Sequence, residues 1–231
     1  MFQTDGYETH GRLLAPSKFE ALAQHFERKL AALPEGERPE HMDVPHLTDP
    51  ALFEWLLDSD VLDLVESLIG PDIALFSSHF ICKPAGDGKP VPWHQDAHFW
   101  RDSIDPAGDA ITVWLAIDPS TVENGCLRVI PGSHLAPVEH TGNADSFFNQ
   151  ETSVDESRAV DVELERGACS IHSAMLVHGS PPNRSTMRRC GYTMRYMPTT
   201  VRFLKSGSHE VYLARGRDHA GNAYAPVPMI G

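Results

Sequence analysis

His94 and Asp96 lie two residues apart in the run Trp93-His94-Gln95-Asp96-Ala97-His98-Phe99-Trp100. On an extended chain, residues i and i+2 point to the same side, so one metal ion could take both. His178, which ends an apolar run beside Gly179, is a candidate third ligand. Two histidines and one carboxylate on one face of an ion leave adjacent coordination positions open, as iron(II) oxygenases require. A 2-oxo acid can chelate through two of these positions, and dioxygen can take another. The far carboxylate of such a co-substrate then needs a cation. Arg184, Arg188 and Arg189 follow His178 within eleven residues, and a planar guanidinium suits a carboxylate better than an ammonium does.

The elements that must position these groups follow from periodicity. Residues 16–32 read as an amphipathic helix, with start signals at Pro16 and Ser17 and a stripe of Phe19, Leu22, Ala23, Phe26 and Leu30. Residues 33–49 carry four prolines and glycines and read as a loop. A second helical region from about 50 to 69 stops at Gly70-Pro71. The texture then changes to short β-like runs: Ile73–Lys83, Ile111–Asp118, Cys126–Ile130, Val160–Leu164, Cys169–His178 and Cys190–Met197. In Ile111–Asp118 the odd positions are apolar, whereas Thr112, Trp114, Ala116 and Asp118 form a mixed face. Helices followed by strands with one polar or mixed face predict a mainly β barrel or jelly roll, with helices outside and a ligand within. Residues 135–158, with Asn143, Asp145, Asn149, Gln150 and Asp155, read as a polar excursion that could act as a lid. The tail from 198 to 231 reads as irregular.

At 231 residues the chain reads as one domain, 1–231. Its net charge of −13, from 32 acids against 19 bases, argues against nucleic acid as a partner. The charge is uneven, because residues 171–231 hold 8 bases and 2 acids and could receive a small anion. There is no apolar run of about 18 residues, and the Met1–Tyr7 start does not read as a signal peptide. The expectation is a soluble cytoplasmic protein away from membranes, monomer or homodimer, acting on a small molecule. Cys82, Cys126, Cys169 and Cys190 form no CxxC pair and read as buried free thiols.

Three segments carry a family resemblance. Trp93-His94-Gln95-Asp96, the run Asn-Gly-Cys-Leu-Arg-Val-Ile-Pro-Gly-Ser-His at 124–134 and His-Gly-Ser-Pro-Pro-Asn-Arg-Ser at 178–185 resemble the phytanoyl-CoA dioxygenase family, well over residues 73–197 and more loosely in the helices at 16–69. The resemblance implies a double-stranded β-helix (jelly roll, cupin-like), Fe(II) as cofactor, and 2-oxoglutarate and dioxygen as co-substrates. By position it implies His94, Asp96 and His178 as metal ligands and Arg189 as the anchor of the far carboxylate. It places Ser180, Trp114, Gln95 and Lys83 beside 2-oxoglutarate. Arg188, pointing the opposite way on a strand, is the replacement for Arg189 if the 178–189 loop is misregistered. The retained carboxylate, Asp96, favours hydroxylation over halogenation, leaving desaturation, ring formation and epimerisation open.

Parity nominates substrate contacts: Arg195 shares a face with Arg189, and His172 with His178. Each, like His79, could equally be satisfied within the core. His98, Phe99 and Trp100 are expected at the substrate entrance, the aromatic groups suiting an apolar or ring-containing portion and Arg195 an anionic group. His134 fits a structural turn. Two other readings share these residues: a cupin-like metal-dependent hydrolase or isomerase, which leaves Arg189 unexplained, and a non-catalytic binding relative.

Overall fold

Apolar periodicity builds the outer layer. In the computed structural model, which describes residues 2–142, 150–204 and 210–229, helix α1 (Pro16–Ala31) buries Phe19, Leu22, Ala23 and Phe26, the predicted stripe. The expected single helix over 50–69 is instead a turn at Pro50–Leu52, a short helix at Phe53–Leu56 and α2 (Ser59–Ile69). The break is chemical. Asp58 caps α2 by accepting the Asp60 backbone N–H at 2.9 Å, and an N-cap residue cannot itself be helical.

The strands of the two main sheets are β1 (Tyr7–Arg12), β2 (Met42–Asp43), β3 (Ile73–Lys83), β4 (Val91–His94), β5 (Ile111–Ala116), β6 (Leu127–Val129), β7 (Val160–Val162), β8 (Ala168–Ser173), β9 (His178–Ser180), β10 (Arg189–Pro198) and β11 (Tyr212–Arg215). The major sheet runs β1-β8-β5-β10-β3-β11, with β2 also paired to β3, and the minor sheet runs β7-β6-β9-β4. Every pairing is antiparallel. This is the expected mainly β jelly roll with flanking helices.

The helices cover one face of the major sheet. Phe26, Phe53, Leu56 and Val65 join Phe80, Cys82, Val113, Leu115, Tyr192 and Tyr196 in one buried cluster. Each such side chain contributes about 1.5–3 kcal/mol on full burial. The opposite face looks toward the minor sheet and is apolar at its ends, around Leu127, Val129 and Leu164 on one side and Ala74, Phe76 and Met197 on the other. Between those ends the facing residues are polar.

The structure differs from the sequence reading at three further places. The run Cys169–His178 is not one strand: Ala174–Val177 turns the chain from the major sheet (β8) into the minor sheet (β9). Strands β1 and β11, at the edges of the major sheet, form where the sequence predicts no element and an irregular tail. In β3, Arg195 pairs with Ser77 but Tyr196 with Leu75, so Phe76 is an extra residue. This bulge exchanges the two faces, placing Ile73 and Leu75 on the same side as Phe80 and Cys82. All four cysteines are free and buried, as expected. Asn143, Asp145 and Asn149 of the predicted lid lie outside the described residues; on either side of them, Thr141–Gly142 pairs with Gln150–Glu151.

Candidate metal centre and co-substrate pocket

The minor sheet brings the ligands together. β9 and β4 are neighbours, and His178 pairs directly with His94. β4 ends at His94 and helix α3 (Asp96–Trp100) begins at Asp96, so the pair does not lie on one strand. Gln95 between them is still extended (φ −107°, ψ 128°), and this keeps the alternation for one more residue. Both side chains therefore face inward. His94 Nε2 lies 3.4 Å and His178 Nε2 4.0 Å from Asp96 Oδ1. One donor atom from each of the three falls within 4.8 Å of the others.

The backbone aims both imidazoles. His94 Nδ1 is 2.8 Å from Pro92 O and His178 Nδ1 is 2.9 Å from Leu176 O. A carbonyl only accepts, so each Nδ1 carries the proton and each Nε2 turns a lone pair toward Asp96. Burial pushes the His178 imidazolium well down, so the ring is neutral at pH 7 and binds metal without losing a proton. Burial alone would raise the Asp96 carboxyl; its polar surroundings, with the Arg195 charge among them, outweigh burial and hold the group ionised. Thr112, on the mixed face of β5, donates to Asp96 Oδ2 at 3.3 Å.

A cavity of about 420 Å³ opens on this triad. Arg189, Lys83, Ser180 and Trp114 line one part of it. Arg189 is 1 % exposed, its guanidinium carbon sits 4.8 Å above the Trp114 ring, and its Nε and Nη1 have no hydrogen-bond partner. No carboxylate among the described residues lies within 4.0 Å of it. A buried guanidinium left this way is costly unless an anion completes it; burial pulls it down to about 10. Lys83 pairs across the strands with Arg189 and donates to Ser180 Oγ at 2.7 Å. Burial, and then the Arg189 charge, push its ammonium down to about 6. Arg188 points outward to Asp118 (2.7 Å) and Glu27 (2.6 Å) and is not the replacement.

Gly191 makes this packing possible. A Cβ there would overlap the Trp114 indole. Gly191→Ala should therefore push the indole from under Arg189 and weaken 2-oxoglutarate binding roughly 3- to 30-fold, with a change in tryptophan fluorescence. Unchanged affinity would show that the stack is incidental.

Two expectations are corrected. Gln95 does not face the co-substrate. Its amide donates to Met175 O (2.6 Å), Ala136 O (3.0 Å) and Ser133 O (3.4 Å), and its Oε1 accepts from Val138 N (3.0 Å). On the strand-like chain before α3 it takes the opposite side from His94 and Asp96, where it ties down residues 133–138. Gln95→Ala should cost about 1–3 kcal/mol, seen as a lower thermal midpoint with 2-oxoglutarate affinity intact. His98 likewise is absent from the cavity wall: it stacks on His140 (centroids 3.8 Å, 11°) and contacts Gln150 and Arg101. In α3 it turns away while Phe99 and Trp100 line the cavity, as do His79, His172 and Arg195. The rim residues Glu40, His41 and Asp43 were missed, because only the edge pairing of β2 with β3 brings that loop to the mouth.

A jelly roll with two histidines and a carboxylate facing an unpaired guanidinium defines the class of mononuclear metal oxygenases that use a 2-oxo acid. The sequence profile of the phytanoyl-CoA dioxygenase (PhyH) family matches residues 2–191, and the chain belongs to that family. Membership implies iron(II) and 2-oxoglutarate, and the triad and Arg189 fit them. The chain is 30 % identical over 153 residues to a probable alpha-ketoglutarate-dependent hypophosphite dioxygenase of Stutzerimonas stutzeri, covering 63 % of this chain and 52 % of that one. It thus spans about half the length of this curated relative. Among solved structures, the apo form of the non-heme monooxygenase ThoJ superposes with a TM-score of 0.78 at 30 % identity, over 97 % of this chain and 85 % of that one. EvdO2 of Micromonospora carbonacea var. aurantiaca, complexed with 2-oxoglutarate, gives 0.69 at 25 % identity over 85 % and 88 %. No helix among the described residues is long and apolar enough to cross a membrane.

Proposed function

We propose that this chain is an iron(II)- and 2-oxoglutarate-dependent dioxygenase that hydroxylates a C–H bond of a small-molecule metabolite and releases succinate and carbon dioxide. The carrying observation is Arg189, a buried guanidinium stacked on Trp114 with two unpartnered nitrogens, in the cavity that His94, Asp96 and His178 face. A hydrolase or isomerase on the same triad has no use for that cation. His94, Asp96 and His178 hold the metal; Arg189 holds the far carboxylate, with Lys83 and Ser180 beside it and Trp114 as its floor. Phe99 and Trp100 form the apolar wall that excludes water from the reacting carbon. When bound, iron and 2-oxoglutarate supply the oxidising power, and the chain supplies orientation and a dry site.

The test is optical and chemical. Iron(II) and 2-oxoglutarate added without oxygen should produce a weak visible charge-transfer band, and oxygen should then yield succinate. No band and no succinate with any substrate would sink the proposal. We place the protein in the cytoplasm, as a monomer or homodimer, with no nucleic-acid or membrane partner. The acidic net charge of −13 supports the first exclusion.

A further inference from the structure

The inner face of the major sheet repeats every two residues, and its last polar row is unexplained by iron or 2-oxoglutarate. Pairing aligns His172 with Thr112, Thr112 with Arg195, and Arg195 with Ser77. Directly opposed residues share a face, so these four side chains form one lateral row. His172 is 2 % exposed and neither ring nitrogen has a hydrogen-bond partner. Arg195 Nε is buried and unpartnered, and the hydrogen bond from Arg195 Nη1 to Ser77 Oγ is long at 3.4 Å.

Among the described residues, no carboxylate on the cavity wall pairs with Arg195 within 4.0 Å. Glu40 is held by Arg38 at 2.6 Å, Asp43 faces His79 at 3.3 Å, and Asp96 belongs to the triad. Arg195 and Arg189 lie on the same face of β10 but six residues apart, roughly 20 Å along a strand. They rest on different platforms, Arg189 on Trp114 and Arg195 on Trp100 (5.4 Å). A 2-oxoglutarate that spans from Arg189 to the metal has no group left for Arg195.

We propose, resting on the function above, that Arg195 and His172, on either side of Thr112 in this row, bind the oxyanion head of the substrate, which is therefore a small organic acid carrying a carboxylate or a phosph(on)ate. Arg195 grips the head against Trp100, and His172 completes it from two strands away. The row adjoins the metal centre: Asp96 Oδ2 lies 3.3 Å from Thr112 Oγ1 and 3.9 Å from His172 Nε2. The oxidised carbon is accordingly within a few bonds of the acid group. A cavity of about 420 Å³, near the low end of the roughly 300–1,000 Å³ usual for small-molecule sites, holds such an acid beside 2-oxoglutarate.

The test is calorimetric titration of the anaerobic iron(II)–2-oxoglutarate protein with butanoate, butylphosphonate and the neutral isostere butanamide. An acid should bind and the amide should not. Arg195→Met should lose the acid roughly 10- to 100-fold while keeping the charge-transfer band and 2-oxoglutarate affinity, and Arg195→Lys should recover part of the loss. Preference for butanoate or for butylphosphonate identifies the head group, and either upholds the site. The inference is overturned if neither acid binds, if butanamide binds equally, if Arg195→Met leaves acid binding unchanged, or if it loses 2-oxoglutarate instead. Absence of the band from the wild-type protein is a separate failure, of the iron and 2-oxoglutarate reading itself.

Discussion

Asp96→Ala protein, reconstituted with iron(II) without oxygen and then desalted, should hold no iron above background, and turnover should vanish with it. Asp96 is the triad's one anion, and it bridges the geometry, with His94 Nε2 at 3.4 Å and His178 Nε2 at 4.0 Å from the same oxygen. Outer-shell changes at metal sites already cost 10- to 100-fold in affinity or activity; loss of a charged ligand should exceed roughly 100-fold. His94→Ala should match it, since Pro92 O has already committed Nδ1 and leaves Nε2 as the metal-facing atom. Metal analysis at equal protein concentration reads the result directly. Iron retained by Asp96→Ala at wild-type stoichiometry would falsify the triad and point to His172, whose Nε2 lies 3.9 Å from Asp96 Oδ2.

The contrast between His94 and Gln95 shows what sequence could and could not reveal about this site. Alternation is a local rule, and it placed His94 and Asp96 on one side even though the strand ends between them. The same rule puts Gln95 on the other side, where its amide meets Met175 O and Ala136 O. Position in a family motif pointed instead toward 2-oxoglutarate, and the geometry sides with alternation. His172 and His178 do meet in the cavity, but not because they share a strand. The chain turns between sheets at Ala174–Val177, and both sheets present that face inward. The helices were legible because their apolar stripe is long, whereas β1 and β11 are short edge strands whose partners, β8 and β3, are distant in sequence. The rim at Glu40–Asp43 depends on the same kind of long-range pairing. Thr112 was assigned to the correct face, but its donation to Asp96 needed a helix start that periodicity does not show.

Arg189→Met should have opposite effects on the empty and the loaded protein. In the empty protein the guanidinium is buried at 1 % exposure with two nitrogens unpartnered, so an apolar side chain of similar length relieves a desolvated charge. Replacing such groups is often neutral or stabilising. The thermal midpoint without ligand should hold or rise. On the proposed function, the same guanidinium in the loaded protein would complete a buried pair with the co-substrate's far carboxylate, and breaking a buried pair costs about 3–5 kcal/mol. Affinity for 2-oxoglutarate should fall by at least roughly 100-fold, and the thermal stabilisation that 2-oxoglutarate confers should disappear over the accessible concentration range. Arg188→Met provides the control with the reverse pattern. Its side chain is bound to Asp118 and Glu27 on the helix-covered side, so 2-oxoglutarate affinity should be untouched. A drop in the empty protein's midpoint for Arg189→Met, with 2-oxoglutarate binding intact, would reduce Arg189 to a structural cation and leave Lys83 to be tested as the anchor.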